Sequence, residues 1–379
     1  MIYLDNAATT PVRPEALQAA WHWLTAEFGN PSSTHELGRR ASVALSDARN
    51  RVARWLDCRP SDVIFTSGGT EGDNLAIVGL CLANPRGKHI VSAQTEHEAV
   101  LAAIDSLVRL HGFAVTWLPV SPTGEITLAA VSEALRPDTT LVTLMLANNE
   151  IGTVHNIAAI AKLAHGVGAL MHTDAVQAAG WLDTRVTMLG VDALTLSGHK
   201  LGAPKGSGAV YLRGSLALEP LAHGGGQEFG RRSGTENIAW AVALATAIDL
   251  LADPVAEGVR GAALREIFIT HVLTTVPRAR LTGADTARHP AIASFTFAGL
   301  NGETLLLDLE QRDVIVSSGS ACAAGRTDPS HVLLAVGLDP AVAQTSVRFS
   351  FSHSTTAEDL HQAAKALLDS VSAVESLAN

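Results

Sequence analysis

Residues 169–200 read ALMHTDAVQAAGWLDTRVTMLGVDALTLSGHK. Two short apolar runs, 169–173 and 192–196, each lead to a residue foreign to a core: Asp174 after the first, Lys200 just past the second. Unbroken apolar runs of strand length indicate strands covered on both faces, as in a mostly parallel α/β sheet. Ligands of such a sheet bind in the crevice at the carboxyl ends of its strands. A lysine there, beside Ser197 and Gly198, is costly unless paired, neutral or covalently bound. That points to a Schiff-base lysine, with a surface-loop lysine as the alternative. Asp174 ends the other strand and can either cap a helix or keep a pyridinium nitrogen protonated, the service pyridoxal phosphate needs.

The pattern repeats outward from this stretch. Strands are expected at 62–66, 89–92, 114–118, 140–146, 193–196 and 209–212. Helices are expected at 14–28, 38–56, 71–82, 98–111, 127–135 and 157–166, and a buried one at 238–252. After about residue 255 the rhythm changes to a strand at 293–297, a helix at 303–311, a strand at 346–350 and a helix at 356–370. This predicts a large domain over 14–255 and a smaller α+β domain built from 1–13 and 256–379.

Other segments carry chemistry with the same ambiguity. Thr66-Ser67-Gly68-Gly69-Thr70 is a strand, a glycine turn and a helix start, an anion site whose best donors are Gly69 and Thr70. It is neither a dinucleotide fingerprint nor a P-loop. His97 in Thr95-Glu96-His97 could stack on a planar cofactor and shuttle protons, or cap a helix. Asn148 and Asn149 suit a ligand or a turn. Cys322 in Ser318-Gly319-Ser320-Ala321-Cys322 sits among small residues that predict an exposed or mobile loop, as a nucleophile or an inert thiol. Arg348 alternates with apolar residues and could fork onto a carboxylate or make a plain salt bridge.

Composition narrows the class. The chain has 379 residues, 47% hydrophobic and 17% charged, with net charge −10. That charge disfavours direct binding to nucleic acid or an anionic membrane. Three cysteines without a CxxC pair argue against a disulfide framework and a metal knuckle; no metal site is expected. Neither a secretory leader nor a spanning segment is expected from this sequence, and a soluble cytoplasmic protein is.

In their joint order these segments resemble the pyridoxal-phosphate cysteine desulfurases of the NifS/IscS type. The resemblance runs from Tyr3-Leu4-Asp5-Asn6-Ala7-Ala8-Thr9-Thr10-Pro11 through Gly29-Asn30-Pro31-Ser32-Ser33, His223-Gly224-Gly225-Gly226-Gln227-Glu228 and Arg232-Ser233-Gly234-Thr235 to 346–350. The cysteine segment is similar to the subclass with the longer loop. The resemblance implies a fold-type I transferase homodimer that turns L-cysteine into L-alanine and passes the sulfur, as a persulfide on Cys322, to a protein acceptor. It implies Lys200 as the cofactor's Schiff-base lysine, His97 as the ring-stacking acid/base group and Asp174 as the partner of the ring nitrogen. Gln177 would face the 3-hydroxyl. Gly69, Thr70, Ser197 and His199 would hold the phosphate, with Thr235 reaching in from the other subunit. Asn149 and Arg348 would take the substrate carboxylate. The acceptor would serve iron–sulfur cluster assembly, tRNA thiolation or DNA phosphorothioation. A selenocysteine lyase, another transferase on the same scaffold, or a silent docking scaffold are the rival readings. Gly72 stands where the family usually has serine or alanine, which would loosen that helix start.

Overall fold

Ile90 and Val91, Leu141 and Val142, Ala193 and Leu194 are buried neighbours in sequence, and each pair divides between two separate cores. Successive strand residues point to opposite faces, so both faces of this sheet are covered. A computed structural model of the chain describes residues 1–84, 86–318 and 328–378. Its strands are β1 (Ile2–Tyr3), β2 (Val63–Thr66), β3 (His89–Ala93), β4 (Ala114–Leu118), β5 (Thr139–Thr143), β6 (Leu170–Asp174), β7 (Ala193–Ser197), β8 (Gly208–Leu212), β9 (Ala279–Leu281), β10 (Ile292–Phe297), β11 (Val314–Ile315) and β12 (Val347–Ser350).

One seven-stranded sheet runs in the order β2-β8-β7-β6-β5-β3-β4. Strands β4, β3, β5, β6 and β7 are parallel, and β8 is antiparallel to both β7 and β2. The expected mostly parallel α/β sheet is therefore present, with one reversed strand. Helices Gly69–Ala83 and Glu98–His111 cover one face around Ile77, Leu80 and Ile104. Helices Glu36–Leu56, Ile157–Gly166 and Ile238–Asp249 cover the other around Leu56, Ile160 and Leu244. The strand order reverses at β3, which lies between β4 and β5. Connections then leave the sheet in opposite directions and open a crevice at the carboxyl ends.

The apolar run 140–146 does not stay a strand to its end. Leu144 and Leu146 still donate to His172 and Asp174 of β6 at 3.2 and 2.9 Å. Met145, however, donates to the Glu96 carboxylate at 2.9 and 3.1 Å instead of to β3. A buried side chain thus replaces the ladder on one side, and β5 ends at Thr143.

A second core gathers Leu4, Phe268, Phe295, Phe297 and Phe349. Here β9, β10 and β12 form an antiparallel sheet, and β1 pairs in parallel with β11. Helices Pro254–Thr275, Gly302–Gln311 and Ala357–Ala378 belong to this region. The last runs past the expected 356–370, and the first was not expected. Gly258 and Gly261 weaken its helical pattern, yet they are there for packing: a Cβ on Gly261 would lie 2.7 Å from Trp181 Cζ3. The indole of Trp181 also stacks on His353, with ring centres 4.6 Å apart and planes 6° from parallel. No single helix among the described residues is long and apolar enough to cross a membrane.

Candidate active site

The carboxyl ends of β3, β5, β6 and β7 surround a cavity of about 540 Å3. Lys200 and Asp174, whose positions in the sequence first pointed to a crevice, both line it. The Lys200 ammonium donates to the carbonyls of Ala7 and Ala8, the latter at 2.8 Å, so the N-terminal segment closes one wall. Asp174 accepts the Val176 N–H at 2.8 Å. Burial raises its proton affinity, while the nearby His97 and Lys200 pull the other way. Gln177 lines the same cavity and donates to the Ala7 carbonyl at 2.8 Å.

His97 is both things its sequence allowed. It caps helix Glu98–His111, its Nδ1 accepting the Ala99 N–H at 3.1 Å, and its ring also lines the cavity. The cap assigns the proton of the neutral ring to Nε2. The paired amides divide the alternatives instead. Asn148 builds the turn, its Oδ1 accepting from Glu150 and Ile151 at 2.9 Å each, while Asn149 lines the cavity. The Asn149 carbonyl accepts Arg348 Nη1 at 2.8 Å, and Arg348 Nη2 donates to Asp5 Oδ1 at 2.8 Å. The guanidinium is thereby fixed in plane at the cavity wall, with Arg348 only 1% exposed.

On the opposite wall, Gly69 and Thr70 open helix Gly69–Ala83. The first N–H groups of a helix have no acceptor within it and favour an anion. Gly68 has φ +152, and a Cβ on Gly208 would lie 2.6 Å from the Gly68 Cα. The turn is thus a bare-backbone cradle. Ser197 and His199 face it. Burial, aided by Lys200 and Lys205, pushes the His199 imidazole down to about 4, so it stands neutral and can offer an N–H. Gly72 has a packing role the sequence did not show: a Cβ there would meet Thr195 Cγ2 at 2.7 Å, and the missing side chain lets the helix lie on β7.

One of the described residues expected at the site is not in the cavity. Thr235 is exposed and outside its lining. Cys322 lies outside the described residues. The flanks of 319–327 are tied to the rim: Ser317 pairs with the backbone of Arg348, the Ser330 hydroxyl donates to Glu150, and His331 Nε2 meets the Glu96 carbonyl at 2.9 Å. The two described cysteines are poor nucleophiles. Burial pushes Cys58 up to about 12 and Cys81 higher still. Asp5 and Asp73 were not singled out from sequence. The position of Asp73 was legible, since residues 69, 70 and 73 share a helix face.

A profile of the family Aminotransferase class-V matches residues 2–362. The chain belongs to that family. Within it, the chain stands with the cysteine desulfurases. It is similar to cysteine desulfurase IscS of Dictyoglomus turgidum, 42% identical over 362 residues, which span 95% of this chain and 92% of that one. A solved NifS-like protein superposes with a TM-score of 0.90 at 31% identity, covering 98% of this chain and 99% of its own. A structure described as SspA in complex with cysteine does so with a TM-score of 0.82 at 35% identity, covering 93% and 99%.

Proteins of this class-V group depend on pyridoxal phosphate. The cavity suits that group on its own chemistry. It offers a glycine cradle with helix N–H donors for a phosphate, a buried carboxylate for a ring nitrogen, and a lysine amine between them.

Proposed function

We propose that this class-V protein is a pyridoxal-phosphate cysteine desulfurase that works as a cytoplasmic homodimer, releasing L-alanine and passing sulfur to a protein acceptor through Cys322. One observation supports it above others: Lys200, Asp174, His97 and Arg348, from four separate segments, meet in one cavity. The relative bound to cysteine supports the same substrate here.

The cofactor, when bound, serves as an electron sink for the substrate α-carbon. Lys200 would hold it through its amine, and the same amine is placed to take the substrate's α-proton. Asp174 would keep the ring nitrogen protonated, Gln177 would face the 3-hydroxyl, and His97 would lie against the ring and move protons. Gly69, Thr70, Ser197 and His199 would hold the phosphate, with Thr235 of a second copy. Asn149 and Arg348 seat the substrate carboxylate, Arg348 by its planar fork. The Cys322 thiolate then attacks the substrate sulfur. The Cβ–S bond breaks, an S–S bond forms, and a proton replaces sulfur on Cβ, so cysteine plus thiol becomes alanine plus persulfide. The acceptor serves iron–sulfur cluster assembly, tRNA thiolation or DNA phosphorothioation.

The test is incubation of the holoenzyme with L-cysteine and a thiol reductant, measuring alanine and sulfide. Equal amounts of both are expected, with both lost in Cys322→Ala. No alanine from cofactor-loaded wild type overturns the desulfurase reading. Undiminished sulfide from the variant overturns the role of Cys322.

A further inference from the structure

Asp73 is a buried ionisable group for which the reaction outlined above has no use. It lies on the second turn of helix Gly69–Ala83, lines the same cavity and is 1% exposed. Its Oδ1 has no hydrogen-bond partner among the described residues. An ionised oxygen buried without a donor is so costly that the group keeps a proton instead.

The surroundings offer it no counter-charge. From β6, His172 Nε2 lies 3.8 Å from Oδ1. That ring is already engaged by the hydroxyls of Thr143 and Thr195 at 2.8 and 3.0 Å, and burial pushes it down to about 3, so it is neutral. Asp174 of β6 and Glu96 after β3 are themselves acids, and both discourage a charge on Asp73. Only the Thr195 hydroxyl favours one. Strands β2, β5 and β7 bring no titratable side chain, and the Tyr211 of β8 lies at a separate surface hollow with Cys58 and Asp62. Helix Glu98–His111 turns Asp105, Arg109 and His111 to solvent, and its Glu98, another acid, is exposed while lining the cavity. On its own helix, Glu71 is paired with Arg232 at 2.8 Å, and Cys81 is a buried thiol.

The other two acids have donors. Asp174 has the Val176 N–H, His97 and Lys200, and Glu96 has the Met145 N–H, although burial raises its proton affinity too. Of the three, Asp73 alone has a buried oxygen without a donor.

We propose that Asp73 is held as a neutral acid and acts as a positioning residue for Asp174, keeping its own proton so that Asp174 carries the charge offered to the cofactor's ring nitrogen. The second part rests on the cofactor reading above; the first does not. Were Asp73 to ionise, its charge would add to that of Asp174 and tighten proton binding throughout the site.

The test is Asp73→Asn, a neutral group of the same shape, in cofactor-free protein and in holoenzyme. An unfolded aspartate releases its proton near about pH 4. The folded protein holds this one more tightly, so wild type loses stability as pH rises above that value, and the variant does not. The cofactor-free variant should melt roughly 2 °C or more above wild type at pH 8, with the gap shrinking towards pH 5. In holoenzyme, the pH titration of the cofactor's visible band should not move. A lower Tm at pH 8, or a titration displaced by about one pH unit or more, overturns the proposal, since that is the mark of a lost charge. If the variant does not fold, wild type and Glu96→Gln decide: infrared spectra of both at pH 8 should show the carbonyl stretch of a protonated carboxyl, and its absence from either overturns the proposal. A wild type that never develops a visible band counts against the cofactor reading alone, and the cofactor-free melting comparison still decides the state of Asp73.

Discussion

Arg348 shows what one side chain contributes. Its guanidinium is held at one nitrogen by Asp5 and at the other by the Asn149 carbonyl, so its plane is set before any substrate arrives. Lysine would supply the charge without the fork. Arg348→Lys is expected to raise KM for L-cysteine about tenfold or more, roughly 1.4 kcal/mol, and to leave the cofactor band intact. An unchanged KM would remove Arg348 from substrate binding. At this scale the sequence was partly legible. A motif names its chemical groups, and Lys200, Asp174 and Asn149 all line the cavity. It does not say that a group can hold two jobs: His97 is a helix cap and a cavity wall at once. Nor does it mark Asp73, whose meaning lies in the donor it lacks.

Elements are legible where local pattern and packing agree. The apolar runs of β3, β6 and β7 spell strands because both faces of the sheet are covered. Helix Pro254–Thr275 was hidden because its glycines answer to Trp181, a residue far away in sequence. Gly72 is the same lesson inside the site. Read locally, it weakens a helix start; in place, its missing side chain leaves room for Thr195 and Val210. Gly72→Ser is therefore expected to lower stability by about 1–3 kcal/mol, and a thermal melt of the variant checks this. A higher Tm would restore the local reading.

At the scale of the molecule, the parallel sheet followed from composition and rhythm, but pairings across the whole chain did not. Strand β1 finds β11 more than 300 residues later, a match that two dipeptides cannot announce. The Trp181–His353 stack joins the segment after β6 of the large sheet to the segment after β12, with Trp181 a few residues beyond Gln177 and His353 a few beyond Arg348. Burial holds the imidazole below its ordinary value against the pull of Glu257, so it gains its proton only in mild acid. An imidazolium pressed on an indole drains its excited state, and the protein therefore carries its own optical gauge. Emission attributable to Trp181, taken as wild type minus Trp181→Phe, should dim as pH falls below about 6.5. At neutral pH the same difference signal, watched as L-cysteine is added, reports in light whether these two segments stay in contact during turnover.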